Sequence, residues 1–274
     1  MKTYLQILFL LISYNSFSCS CDDINPIMEF KLSEYVFEGK IISKVYSDDK
    51  KTYKVIFEIS KHYKLGDNPT NLEFELNSEG KYTNVYSSCD WSADLNQKWL
   101  VYVKKVNGSL IFDAVCSNTK RIDKYYINKN ELNKITHGNT FKFDNYIINE
   151  NEHGFNYCKN ITDINSILKN GRKKDYKNPY TLLIIKVNKK GKLKNVFISK
   201  NLQKKGDTIF NLVTELIDTK KNTLSEFEKE AVKLVSKIKA WEIKRFTKTN
   251  EAVNYIRHIW VEFDPKTQEW KYEL

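Results

Sequence analysis

Short segments in which apolar and polar residues alternate dominate the first half of the chain. Alternation with a period of two is typical of strands that bury one face. It predicts five strands, over Tyr35–Val45, Thr52–Ile59, Asn71–Leu76, Lys98–Lys104 and Ser109–Val115. The dipeptide Asn107-Gly108 supplies a turn between the last two. Five short strands joined by turns favour a small antiparallel barrel or sandwich.

The second half shows a different order of elements. A strand is predicted over Tyr180–Val187, then a turn that ends at Gly191 and a returning strand over Lys194–Ser199. Apolar residues three or four positions apart predict a helix after a capping box that begins at Thr223. The last predicted strand is Val253–Phe263. The order β-β-α-β makes the whole chain a β-rich α+β protein.

Residues 1–18 have the features of a secretory signal peptide. A lysine precedes the apolar run Leu5–Ile12, and Ser16 and Ser18 are the small residues before a cleavage site. Cleavage would leave Cys19 as the first residue, and attachment of a lipid to Cys19, as in a bacterial lipoprotein, is the alternative. In both cases the protein is exported, to the periplasm, the outer membrane or cell surface, or the extracellular space.

Cysteine usage fits an exported protein, because disulfides persist in oxidising compartments. The chain has five cysteines, at Cys19, Cys21, Cys89, Cys116 and Cys158. The odd number leaves one unpaired, and spacing alone allows three pairings of any four. We predict Cys158 as the unpaired thiol.

The motifs of the first half occur in an order that resembles the netrin-like module of the tissue inhibitors of metalloproteinases and their bacterial relatives. They are Cys19-Ser20-Cys21, Tyr35–Lys40, Tyr53–Val55, Ser88-Cys89, Trp99–Val103 and Cys116-Ser117. The resemblance implies a five-stranded OB-like barrel over residues 19–121. It also implies two disulfides, Cys19–Cys89 and Cys21–Cys116, whose separations of 70 and 95 residues fit the family.

In the inhibitors of this family, the free amine and the carbonyl of the first cysteine chelate the catalytic zinc of a protease. The resemblance therefore implies one functional alternative, a metalloprotease inhibitor that acts through a free Cys19 amine. Asp22 and Asp23 beside this tip are unusual for a segment that enters a protease cleft. They favour a barrel that binds a protein or has a structural role.

Residues 176–274 resemble the TonB carboxy-terminal domain. The shared features are the turn Asn188–Gly191, Lys194-Asn195-Val196, a helix with Glu230-Ala231-Val232, Trp241 after the helix, and a final strand ending at Phe263. The family usually has a proline after that tryptophan, where this chain has Glu242. In the family, an extended peptide adds a strand to a sheet edge. The resemblance implies a partner-binding last strand with the residues Val253, Tyr255, Ile259, Val261 and Phe263. TonB-type energy transduction for transmembrane transport is a second alternative.

The chain carries a formal charge of +11. Residues 176–274 contain 21 Lys and Arg against 12 Asp and Glu, which is a net charge of +9 for this part. A solvated lysine-rich surface explains such an excess, and attraction to an acidic partner or to anionic lipid headgroups is the functional interpretation. No nucleic-acid recognition motif accompanies the charge.

Catalytic signatures are missing from the sequence. The four histidines have no metal-ligand spacing with one another or with a cysteine, and no nucleophile–base set can be placed together. We therefore predict a non-enzymatic protein without cofactor or metal. Its parts are the signal peptide 1–18, the barrel 19–121, a connecting segment 122–175 and the second domain 176–274. The predicted function is binding of an unidentified protein or peptide by edge-strand pairing, with tethering to a membrane through a lipid on Cys19 as an added possibility.

Overall fold

The computed structural model describes residues 21–84, 89–159, 161–219 and 223–274. The described residues form a β-rich α+β structure with two curled sheets and few helices. Contacts between residues divide the chain into two compact units, of which the first ends at Asn139 and the second begins at Thr140. Each unit has its own sheet.

The sheet of the first unit has six strands among the described residues. Their order is β3-β2-β1-β4-β5, with β6 paired to β4, and all pairs are antiparallel. The strands are β1 Tyr35–Tyr46, β2 Thr52–His62, β3 Asn71–Asn77, β4 Lys98–Val106, β5 Ser109–Ile111 and β6 Lys120–Arg121. The helices of this unit are α1 Pro26–Leu32, α2 Gly80–Thr83 and α3 Lys129–Thr136. A strand lies in each of the five predicted segments, although β5 is shorter than predicted.

Strand β1 is long and irregular, and it pairs with two neighbours. It pairs with β4 over Tyr35–Lys40 and with β2 over Phe37–Tyr46. Register shifts interrupt the pairing with β2 just before Gly39 and just before Ser43. Irregularities of this kind bend a strand and increase its twist, which accounts for the curl of the sheet. A Cβ atom at position 39 would lie 3.0 Å from the Glu58 carbonyl oxygen, so the close approach of the two strands favours glycine there.

Aromatic side chains form the centre of the first core. Phe57 contacts Phe37, Phe74 and Phe112 edge to face, with ring centroids 5.6 to 5.8 Å apart. All four rings are buried. Phe37, Phe57 and Phe74 meet because alternate residues of neighbouring strands point to the same side of a sheet, and Phe112 joins them from directly after β5. Edge-to-face pairs add to the stabilisation that burial provides, so this cluster helps to fix the register of β1, β2 and β3.

The sheet of the second unit has seven strands among the described residues. Their order is β10-β11-β7-β12-β8-β9, with β13 paired to β12, and only the β7–β12 pair is parallel. The strands are β7 Ile147–Asn149, β8 Tyr180–Val187, β9 Leu193–Ile198, β10 Leu202–Gly206, β11 Val213–Asp218, β12 Asn254–Asp264 and β13 Glu269–Glu273. The helices of this unit are α4 Ile164–Leu168 and α5 Glu226–Val235.

The two faces of the second sheet are covered by different elements. Helix α5 lies against β8 and β9 and buries one stripe of residues at helical spacing, namely Phe227, Ala231, Leu234 and Val235. A smaller apolar cluster on three neighbouring strands contains Ile147, Ile184 and Ile256, and its partly buried neighbours are Leu202, Val213 and Leu216. Leu202, Val213 and Leu216 belong to β10 and β11, so this hairpin packs against the isoleucine cluster.

Four strands of the second sheet lie outside the predicted β-β-α-β order. Strand β7 comes from the predicted connecting segment 122–175, and β10 and β11 form a hairpin before helix α5. Strand β13 follows β12 after a short turn. Strand β10 escapes sequence prediction because Gln203, Lys204 and Lys205 are consecutive exposed polar residues without any alternation.

Helix α5 begins later than the sequence suggested. Its N-cap is Ser225, whose hydroxyl accepts a hydrogen bond from the Glu228 backbone N–H at 3.2 Å. The Glu228 carboxylate in turn accepts from the Ser225 backbone N–H at 2.8 Å, which completes a capping box. The predicted cap at Thr223 is therefore wrong. Two overlapping Ser/Thr-x-x-Glu patterns occur here, beginning at positions 223 and 225, and a local pattern cannot choose between them.

The two candidate caps make a matched test. Replacing Ser225 with alanine should lower the free energy of unfolding of the second unit by about 1 kcal/mol, because the Glu228 backbone N–H loses its acceptor. Replacing Thr223 with alanine should change it by less than about 0.5 kcal/mol. Urea unfolding followed by far-ultraviolet circular dichroism measures both values. Equal losses for the two variants would contradict the assigned cap.

Candidate functional site

The three described cysteines of the first unit are disulfide-bonded. Cys21 and Cys116 form a disulfide with Cα atoms 5.2 Å apart, which is one of the two pairs that the resemblance implied. Cys89 is disulfide-bonded as well. Its predicted partner Cys19 lies outside the described residues, and so does the terminus proposed for zinc chelation or lipidation. Cys158 has a free, buried thiol. Burial raises its pKa, so the thiol stays protonated and unreactive near neutral pH.

The predicted partner-binding strand, β12, is an inner strand of the second sheet. It pairs with β8 over Tyr255–Glu262 on one side, and with β7 and then β13 on the other side. Between β7 and β13, the Glu150 carboxylate accepts a hydrogen bond from the backbone N–H of His258 at 2.9 Å. The five side chains singled out for this role, Val253, Tyr255, Ile259, Val261 and Phe263, are all buried. An added strand therefore has to pair elsewhere in this sheet.

Strand β9 lies at one end of the strand order and borders a groove of about 1050 Å³. On its inner side it pairs with β8 from Leu193 to Ile198. On its outer side, Leu193 donates a backbone hydrogen bond to the Lys239 carbonyl at 3.3 Å, and an isolated bridge joins Lys192 to Ala240. Beyond Leu193, no strand among the described residues pairs with this outer side. The groove thus runs beside an open strand edge.

The turn before β9 forms the end of the groove at Gly191. Gly191 has a φ of +71°, a left-handed conformation that favours glycine. Its carbonyl accepts a hydrogen bond from the Trp241 backbone N–H at 2.9 Å, and a Cβ atom here would collide with the Trp241 carbonyl oxygen. The Trp241 indole is buried and donates to the Ile238 carbonyl at 3.3 Å. Trp241 therefore forms a rigid part of the groove lining.

The walls of the groove are strongly basic. Lys190, Lys192 and Lys194 lie in or next to β9, and Lys239 lies on the segment opposite. All four are exposed, and none of them forms an ion pair with a described residue. The one acidic residue that lines the groove, Glu242, uses its carboxylate to accept the backbone N–H of Lys159 at 2.7 Å. The lining thus carries four exposed lysines and one carboxylate, which leaves a net positive charge.

A buried arginine supports the segment before helix α4 that contributes Asn156 to the groove. Arg257 donates hydrogen bonds to the Cys158 carbonyl and, at 3.0 Å, to the Tyr157 hydroxyl. Its Nε lies 3.3 Å from Glu150 Oε2, and its guanidinium lies 5.9 Å from the centre of the Trp241 ring. One buried side chain thus holds this segment, β12 and the groove lining together.

A buried lysine, Lys244, binds the same segment of the chain. The Lys244 ammonium donates to the backbone carbonyls of Glu150 and Asn156, at 2.7 and 3.1 Å. Burial lowers its pKa, and nearby Glu150 only partly offsets this effect. Its contacts are with backbone oxygens and the rings of Phe155 and Tyr255, so its role is structural.

A Ser–Lys contact in the first unit invites a catalytic interpretation. Lys44 Nζ lies 2.8 Å from Ser92 Oγ, but also 2.8 Å from Asp94 Oδ1 and 3.2 Å from Glu79 Oε1. Burial alone would lower the pKa of Lys44, but hydrogen bonds with Asp94 and Glu79 outweigh this and raise it. A lysine held in its charged form cannot accept the serine proton, so this cluster joins β1 to the loop before β4 and supplies no general base.

The same cluster predicts a loss of stability in acid. Burial alone would raise the pKa of Glu79, but hydrogen bonds from Ser92, backbone and Lys44 lower it to about 2. An unfolded glutamate titrates near ~4.3, so the stabilisation is complete above that pH and is lost as the pH falls towards 2. Urea unfolding midpoints of the first unit should therefore fall less between about pH 5 and pH 2.5 in Glu79→Gln than in the wild-type protein. The matched control Glu75→Gln, at an exposed position, should keep the wild-type slope.

The described residues contain no group of three or more His, Cys, Asp or Glu side chains that could hold a metal ion. Their longest helix, α5, has 10 residues, and no helix in the described ranges has the length and apolar character of a membrane span. Neither a protein-family model nor a curated protein matches this chain.

Proposed function

We propose that the chain is an exported, non-enzymatic protein-binding or adaptor protein that takes up an extended segment of its partner along β9. The observation that carries the proposal is the open outer side of β9 beside a groove of about 1050 Å³. Unpaired backbone groups at a sheet edge are a template for another strand. The five residues of β9 beyond Leu193 offer an edge of roughly 17 Å, enough for a short extended peptide.

The fold supports more specific assignments, which we also propose. The antiparallel order β3-β2-β1-β4-β5 in the first unit is compatible with an OB-like barrel that the Cys21–Cys116 disulfide ties to the amino-terminal segment. The β8–β9 hairpin, helix α5 and strand β12 supply the elements of a TonB carboxy-terminal-like domain. A disulfide also supports a periplasmic or surface location.

Two proline variants test strand addition at β9. Neighbouring residues of a regular edge strand alternate between an amide that faces the next strand and one that faces outward. Of Asn195→Pro and Val196→Pro, one should therefore disrupt the β8–β9 pairing and lower the melting temperature. The other should keep the wild-type melting temperature but lack an outward donor.

The ligands for this test come from selection of displayed random octapeptides on the wild-type chain. Fluorescence anisotropy then compares their dissociation constants for the variants. The proline variant that keeps its melting temperature should bind at least about tenfold more weakly, because a backbone donor at the edge is lost. Lys204→Pro, in the strand β10 at the opposite end of the sheet, is the matched control and should bind like the wild type. Unchanged affinity in both β9 variants would refute strand addition.

A further inference from the structure

The charge around β9 indicates the amino-acid composition of a segment that this edge would bind. We infer that the partner segment is an acidic extended peptide, in which Asp or Glu alternates with apolar residues. The inference rests on the proposed strand addition and adds the chemistry of the ligand to it.

The first argument is the positive charge of both walls. Lys194 borders the open edge, and Lys192 lies where the bridge to Ala240 closes it. Lys239 and the partly buried Arg245 line the groove on the other side. An extended peptide on the open edge would have one end close to cations from both sides. Because the three lysines have no ion-pair partner among the described residues, an incoming carboxylate does not have to displace an existing one.

The second argument is the apolar part of the lining. Leu193, Val196 and Ile243 are partly buried and face the groove beside the buried ring of Trp241. A peptide made only of acidic residues would leave these side chains without partners. Side chains of an extended peptide point alternately to two sides, so an alternating sequence can place apolar residues on this lining and carboxylates towards the lysines.

An anionic membrane surface is the competing occupant for basic residues. Lipid headgroups present a broad surface, and they would favour cations spread over one protruding face. Here the cations lie on two walls of a recess with an apolar lining. This arrangement fits a narrow ligand that enters the groove, and the structure therefore favours the peptide.

The test uses three synthetic hexapeptides with blocked ends that differ only at alternate positions: Glu-Val, Gln-Val and Lys-Val repeats. Isothermal titration calorimetry on the full chain should give a dissociation constant about tenfold lower for the Glu peptide than for the Gln peptide, and no binding of the Lys peptide. The difference between Glu and Gln peptides should shrink when NaCl is raised from about 20 mM to about 500 mM, because salt screens exposed charges.

A pair of charge-reversal variants locates the effect. Lys192→Glu/Lys194→Glu should abolish the preference for the Glu peptide. Lys204→Glu/Lys266→Glu has the same change in net charge at exposed positions outside the groove and should keep the preference. Equal affinity for the Glu and Gln peptides would overturn the inference.

Further outcomes separate this inference from the proposed function. Suppose that both peptides bind equally and that N-methylation of alternate peptide backbone amides weakens both. Strand addition then stands and the acidic preference fails. If N-methylation has no effect on a bound Glu peptide, strand addition itself fails. If vesicles of phosphatidylglycerol bind the chain through Lys192 and Lys194 and the Glu peptide does not bind, the site is a lipid surface and the inference is wrong.

Discussion

Replacing both Cys21 and Cys116 with serine is expected to lower the free energy of unfolding of the first unit by about 4–5 kcal/mol. The bond closes a loop with a sequence separation of 95 residues. In the chain-entropy description, such a cross-link reduces the freedom of the unfolded chain by about that amount. Because small domains are stable by only about 5–15 kcal/mol, the variant should be close to unfolding at physiological temperature. Urea unfolding followed by the fluorescence of Trp91 and Trp99, which both belong to this core, measures the effect.

The control is Cys158→Ser in the second unit, where the thiol is free and buried. It should leave the urea midpoint of the first unit unchanged, since that cysteine makes no covalent bond. If the free energy of unfolding of the double serine variant were within about 0.5 kcal/mol of the wild-type value, the disulfide would not restrict the unfolded chain as expected.

Replacing Arg257 with methionine should cost the second unit about 3–5 kcal/mol. The guanidinium is buried, and its loss leaves the Cys158 carbonyl and the Tyr157 hydroxyl without their donor and the Glu150 carboxylate without its ion-pair partner. Removing one partner of a buried charged network carries a cost of this size. Urea unfolding followed by far-ultraviolet circular dichroism gives the loss.

Arg257→Lys is the informative companion to this variant. It keeps the positive charge for Glu150 but cannot donate to Cys158 and Tyr157 from one rigid plane. The lysine variant should therefore lie between the wild type and Arg257→Met. If lysine restored full stability, charge alone would explain the role of Arg257. If methionine had no effect, the network would have no net stabilising value.

Strong alternation made most strands predictable. In β2, Tyr53, Val55 and Phe57 are buried while their neighbours face outward, which is the pattern that the sequence displays. Strand β7 has three residues, and Ile147 finds its partners in Val213 and Asn254, far along the chain. No local periodicity can report such a pairing.

The candidate site was only partly predictable for the same reason. The excess of basic residues after residue 176 is visible in the sequence, and an acidic partner is one interpretation of it. Its concentration on a groove was not visible, because folding brings Lys239 opposite Lys192 and Lys194. The alternation of lysines at 190, 192 and 194, which begins in the turn, is the signal in the sequence that points to this site. Likewise, the sequence makes β12 the last predicted strand, and its inner position depends on pairing with both β8 and β13.

The inner position of β12 has a consequence for the order of folding. This strand joins β7, β8 and β13, yet it follows all the other strands of its sheet except β13 in the chain. Its parallel register with β7 places Asn254 beside Ile147, a separation of 107 residues. Contacts this distant slow folding, because the entropy of closing the intervening chain is lost before they form. During synthesis, the second sheet would thus remain incomplete, with the edges of β7 and β8 open to wrong partners, until β12 has emerged.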